Sequence, residues 1–187
     1  MHDDLKKRHE RAAGDRFIEA YNRRYRTRFI LREQRESPDL VYETRRGKLL
    51  GLEVATAYYD EEEAKMRWSL ARGQDGGPWG GRPDESLTQF INRVLADKCA
   101  KSYSFPGSCV LVIDACPRLT DEREIRGTVL PAISVPPVVP YGEIYLGVDL
   151  PISLAKPSGH EGQYRIWRLH PPGRRGQSSQ FREDEDD

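Results

Sequence analysis

The chain has 187 residues with 30 basic and 30 acidic side chains, so its formal net charge is zero, and 37% of its residues are hydrophobic. That length suits one domain with a substantial core, no apolar run approaches the roughly 20 residues of a membrane-spanning helix, and zero net charge argues against the uniformly basic surface of a DNA-coating protein. Cys99, Cys109 and Cys116 are odd in number and form no CxxC pair, which disfavours a disulfide framework or a thiolate zinc site and leaves them as buried, reduced packing residues. His2, His9, His160 and His170 have no metal-ligand spacing either.

The start, "MHDDLKKRHERAAGD", is charged and has no apolar signal region, so the expected location is cytoplasmic. Residues 3–26 are expected to form a helix, and residues 38–57 a β-hairpin. Residues 60–84, "DEEEAKMRWSLARGQDGGPWGGRPD", are charged and then glycine-rich, as in a long flexible insertion. Helical periodicity returns from about 85 to 103, and "SCVLVID" at 108–114 is a continuous apolar strand of the buried kind. A short helix around "DEREI", an irregular Pro-rich connector and two strands, "EIYLGVDL" and "QYRIWRL", follow. Residues 1–170 are thus expected to be one α/β domain, a central mixed β-sheet flanked by helices on both faces, with a disordered acidic tail over 171–187.

The hairpin contains two acids in otherwise apolar strands, Asp39 and Glu53. A three-residue loop often ends on a glycine in the left-handed region, and Arg45, Arg46 and Gly47 supply one. That loop sets Thr44 opposite Lys48, and five further steps along each strand set Asp39 opposite Glu53, with Cβ atoms about 5 Å apart. Two ionised carboxylates at that separation repel by roughly 3 kcal/mol at an effective dielectric of 20, more than the ~1 kcal/mol range of strand propensities. A shared proton would offset this, as would a divalent cation with oxygen ligands. The alternative, one acid turned to solvent at a sheet edge, sits badly with Leu49, Leu50, Leu52 and Val54, which leave the second strand no polar face.

On the helix over 85–103, Leu87, Phe90, Ile91, Val94 and Leu95 form an apolar stripe with Lys98 at its centre. Lys98 either snorkels to water or delivers its ammonium to the carboxylate pair. On the first helix Phe17, Ile18, Tyr21 and Tyr25 mark the buried face, Glu10 lies one heptad before Phe17 on it, and Gly14 between them permits close approach of another chain segment. Glu19 falls on the solvated side. Residues 1–35 hold eleven Lys and Arg against six acids. They read either as a solvated face or as a nucleic-acid contact.

"SPD" at 37–39, "GLEVA" at 51–55 and the helix-to-strand segment "FINRVLADKCAKSYSFPGSCVLVID" at 90–114 together resemble the PD-(D/E)XK nuclease superfamily, which has the restriction-endonuclease-like fold. The resemblance covers the element order from about residue 5 to 115. It implies that Asp39 and Glu53 bind Mg²⁺ or Mn²⁺, that the carbonyl of Val54 is a further ligand, and that Glu10 completes the acidic cluster. The motif lysine is displaced: Ala55 stands where it would fall. In some divergent members the lysine comes from the following helix, which is where Lys98 lies.

The activity implied is metal-dependent phosphodiester hydrolysis, with Lys98 supporting the attacking water and Arg23, Arg24, Arg26 and Arg28 holding the sugar-phosphate backbone. Nucleic acid is the expected partner, DNA ahead of RNA. A membrane is not expected, and the oligomeric state, a dimer included, is open. The competing expectation is a catalytically silent nuclease-like domain that binds nucleic acid or a partner protein.

Overall fold

In the computed structural model, residues 2–57, 69, 73, 87–102, 104–115, 122–150 and 163–172 are described. Helix α1, His2–Tyr25, precedes three strands, β1 (Ile30–Gln34), β2 (Leu40–Glu43) and β3 (Leu49–Ala57). Helix α2 (Leu87–Cys99) leads into β4 (Ser108–Ala115). A helical stretch, α3, runs through Glu122–Glu124, a π-helical turn at Ile125–Val129, and Leu130–Ala132. Strands β5 (Glu143–Leu150) and β6 (Gln163–His170) complete the order.

The six strands form one sheet in sequence order, antiparallel from β1 to β3, parallel from β3 through β5, and antiparallel again at β6. Parallel neighbours need crossover connections, and α2 and α3 lie within the two that join β3 to β4 and β4 to β5.

Side chains alternate across each strand, so the two faces collect separate cores. Leu50, Leu52, Val54, Val110, Val112 and Tyr145 face α1, where they meet Ala13, Phe17 and Ile18. Ala55, Leu111, Ile113, Ile144, Leu146 and Val148 face the other way and meet Leu87, Ile91 and Leu95 of α2 and Ile125 and Val129 of α3. Each fully buried Leu, Ile or Phe here contributes about 1.5–3 kcal/mol relative to exposure, so both faces hold the sheet. The expected fold class, a central mixed sheet with helices on both faces, is the observed one. Among the described residues no helix is long and apolar enough to cross a membrane.

Helix α1 lies unusually close to the hairpin. A Cβ on Gly14 would collide with Leu40 Cδ1 and would come within 2.8 Å of the Tyr42 hydroxyl. Glycine is what allows that approach.

Two local features differ from the sequence expectation. Strand β1, "ILREQ", is additional: it is a short edge strand with Ile30 65% exposed, and a half-polar edge carries too little periodicity to announce itself. The short helix around 121–125 continues to Ala132 and takes in the first part of the Pro-rich connector, because Pro131 sits in the first turn of its last segment, where its missing N–H is tolerated. The insertion expected at 60–84 lies outside the described residues apart from Ser69 and Gly73, and so does the tail beyond Pro172.

Candidate functional site

The hairpin register is the one that the "RRG" loop predicts. The Thr44 N–H donates to the Lys48 carbonyl at 3.0 Å, Gly47 turns the chain with φ of 77°, and Leu40 stands opposite Leu52. Continuing one step brings Asp39 opposite Glu53. Strand β2 begins only at Leu40, opposite Leu52, whereas β3 continues past that point to Ala57 beside β4. Beyond Leu52 the β2-side edge of β3 is therefore a notch, and Asp39 stands at its mouth.

Ladder geometry explains what fills the notch. In an antiparallel pair every second pair of residues exchanges N–H and C=O bonds, and the Thr44–Lys48 bond assigns those exchanges to Tyr42–Leu50, Leu40–Leu52 and, one step on, position 38 with Val54. Position 38 is proline and has no N–H to give. The Asp39 side chain takes over as acceptor, its Oδ2 receiving the Val54 N–H at 2.8 Å. The Val54 carbonyl lies on the same edge, and Pro38 can offer it no ladder donor. The backbone of Asp39 is fixed from the other side, where its carbonyl accepts the Arg35 N–H at 2.9 Å just past β1. Gly51 completes the mould: a Cβ there would lie 2.7 Å from Pro38 Cγ and 3.0 Å from the Phe105 ring. "SPD" and the glycine of "GLEVA" are thus one packing arrangement.

Asp39 and Glu53 are both buried, at 6% and 5% exposure. Burial first, and then the charges of Glu53 and Glu10, push the Asp39 carboxyl up to about 7, against the opposing effects of the Val54 N–H and the Lys98 ammonium. Lys98 reaches the pair from the last turn of α2, its Nζ donating to Glu53 Oε1 at 2.7 Å. Of the two readings of Lys98, delivery to the carboxylates is the observed one. Ala55 is buried against the core that α2 covers, so the position where the resemblance would put a lysine is occupied by packing. Cys109 lies close by, its thiol raised to about 11 by burial and then by the Glu53 and Asp39 charges, which suits a reduced packing residue.

Glu10 is buried and its charge acts on Asp39, while it pairs with Lys6 at 3.4 Å one turn earlier. Among the described residues no three His, Cys, Asp or Glu side chains converge as a metal-holding group. The donor set still suits Mg²⁺, which usually takes one or two protein carboxylates and fills its other positions with water and phosphate. Asp39, Glu53 and the Val54 carbonyl are all hard oxygen donors, and a cation among them would relieve the mutual repulsion that raises the Asp39 carboxyl.

The arginines are not part of this cluster. Arg23 and Arg24 fall in the last turn of α1, with Arg26 and Arg28 just beyond, all exposed. Arg23 and Arg24 are about 20 Å along the helix from Glu10 at 1.5 Å per residue. Arg23 pairs with Glu19, as the solvated placing of Glu19 implies, and Arg24 donates to the Ile166 carbonyl at 3.0 Å.

A second polar cluster on the α1 face escapes the sequence reading. Asp114, near the end of β4, is buried and accepts from Arg16 Nη2 at 3.0 Å and from the Tyr164 hydroxyl at 2.9 Å. Burial raises its carboxyl, while the Arg16 guanidinium and the Tyr164 hydroxyl act against the rise. One heptad before Arg16, His9 Nε2 lies 3.0 Å from Thr56 Oγ1, on the strand position that pairs with Asp114. These contacts fix the register of α1 on the sheet, and with it the placing of Glu10. The available signal was an acid closing the apolar run "SCVLVID".

No protein-family model, curated protein or solved structure matches the chain. What stands is the class of the fold, an open six-stranded α/β sheet with helices on both faces, and a buried carboxylate pair with a lysine at the notch between β2 and β3.

Proposed function

We propose that the protein is a metal-dependent nuclease of the kind its sequence resembles, hydrolysing phosphodiester bonds of nucleic acid, with DNA as the first substrate to test. The observation that carries this reading is the convergence of Asp39, Glu53 and Lys98 on one notch, with Lys98 Nζ 2.7 Å from Glu53 Oε1. Pairing two buried carboxylates has no evident benefit to the fold, since two hydrophobic residues of like volume would fill the space without the charge.

A divalent cation held there would polarise a nonbridging phosphate oxygen and lower the pKa of a bound water. Asp39, its Oδ2 fixed by the Val54 N–H, presents the other oxygen to the notch in a set direction. Glu53 holds the opposite side. The Lys98 ammonium, on a stem anchored in α2, is placed to orient the attacking water or to stabilise charge developing on the phosphate. The arginines at the far end of α1 serve a different phosphate, which fits sequence-independent positioning of an extended strand.

The alternative, a catalytically silent nuclease-like domain that binds nucleic acid or a partner protein, draws on one observation: the Lys98–Glu53 ion pair already compensates Glu53 without a metal. The two readings separate in a cleavage assay on single- and double-stranded DNA and RNA with Mg²⁺ or Mn²⁺. The nuclease reading expects cleavage by wild type that is lost with EDTA and in Glu53→Ala. Binding without cleavage by wild type, across all substrates and both metals, supports the silent domain.

A further inference from the structure

The ion pair that argues for the silent domain also suggests how the proposed metal site is controlled. Lys98 Nζ lies on Glu53 Oε1, one of the oxygens that the nuclease reading gives to the metal, at 2.7 Å. A divalent cation taking Glu53 Oε1 would lie within about 5 Å of an ammonium still resting on that oxygen, and like charges at that range repel strongly in a poorly solvated site. The two cations therefore cannot both use this carboxylate undisturbed. The lysine is built to yield: its side chain is 21% exposed, against 7% for Glu53, and its flexible four-carbon stem carries three rotatable donors. Ala55 is packed in the core beside Glu53, so the charge arrives on a movable helix side chain rather than from the strand itself.

We propose that Lys98 is the resident counter-cation of the notch, holding Glu53 Oε1 when no metal is bound and giving it up when a divalent cation enters, so that ammonium and metal compete for one carboxylate. This rests on the nuclease reading and adds a form of regulation to it. Without metal the notch is held closed on itself by an internal ion pair. With metal the same ammonium is released toward the water and phosphate side, so that one residue switches from guarding the site to serving it.

The competition has a consequence opposite to that of a merely supportive lysine: removing the ammonium should tighten metal binding. Mn²⁺ is titrated at pH 8.0 into wild type, Lys98→Met and Lys98→Gln, with free Mn²⁺ followed by its electron paramagnetic resonance signal. Both variants should bind at least fivefold more tightly than wild type. In parallel, wild type is acetylated with and without saturating Mg²⁺, and Lys98 modification, read by mass spectrometry, should be at least threefold faster with the metal. This second arm needs no variant to fold. Wild type that binds Mn²⁺ as tightly as or more tightly than both variants, or Lys98 reactivity that Mg²⁺ leaves unchanged or lowers, overturns the competition while the nuclease reading stands. If none of the three proteins binds Mn²⁺, both the competition and the metal-dependent reading fall.

Discussion

Replacing Asp39 by Asn tests the carboxylate notch without reference to catalysis. Asparagine keeps an oxygen to accept the Val54 N–H, now 2.8 Å from Asp39 Oδ2, and offers Glu53 a donor in place of a charge. In the folded protein the Asp39 carboxyl is raised from its ordinary value of 3.8 to about 7, chiefly by burial. The unfolded chain therefore releases this proton near pH 4, while the folded chain keeps it to about pH 7. Between those values the folded state binds more protons, so the contribution of this group to stability falls as pH rises and is fully lost above about pH 7. At 1.36 kcal/mol per pH unit the loss is on the order of 4 kcal/mol. The asparagine amide does not titrate. Urea unfolding with EDTA at pH 4.5, 6, 7 and 8 should show Asp39→Asn gaining on wild type by up to that amount across the range. Adding Mg²⁺ at pH 8 should then stabilise wild type and leave the variant unchanged. Parallel stability profiles for the two proteins would refute the account of a buried, repelled carboxylate.

Other perturbations probe the supports of the site. Lys98→Met in EDTA should cost about 2–4 kcal/mol at pH 7.5, because it removes one partner of a largely buried pair, and adding Glu53→Gln should restore most of it in a double-mutant unfolding cycle. Gly14→Ala forces a methyl against fully buried Leu40, so overpacking of about 1–3 kcal/mol outweighs the ~1 kcal/mol gain in helix propensity, and thermal unfolding should show a lower midpoint. Arg16→Met leaves the buried Asp114 without its guanidinium and should destabilise by about 2–4 kcal/mol at pH 8, and by less at pH 5, where the raised Asp114 carboxyl takes up a proton more readily; equal losses at both pH values would contradict that pairing. Removing Arg23, Arg24, Arg26 and Arg28 together should lower the slope of log affinity against log salt for DNA by about 0.9 for each phosphate no longer neutralised, with metal binding unchanged.

The parts legible in the sequence are those fixed by local chemistry. The "RRG" loop sets a register, and that register alone brings Asp39 opposite Glu53. Helical periodicity puts Lys98 on a buried stripe and Glu10 on the inner face of α1. What stays hidden depends on partners distant in sequence. Asp114 meets Arg16 and Tyr164 across separations of 98 and 50 residues, which no local pattern records. Strand β1 is an edge whose polar residues discourage further pairing, and the same polarity removes the alternation that would identify it. The arginines stand apart from Glu10 for a geometric reason: once wound into one long helix, Arg23 and Arg24 lie about 20 Å along it from Glu10 at 1.5 Å per residue.

The most direct test is to locate the metal itself. Crystals grown with Mn²⁺ and measured near its absorption edge should give an anomalous peak in the notch, within about 2.5 Å of a carboxylate oxygen of Asp39 and of Glu53 and of the Val54 carbonyl, with Lys98 Nζ moved off Glu53 Oε1. A saturated crystal with no peak at the notch, and Lys98 still bonded to Glu53, would contradict the metal site and with it the nuclease reading.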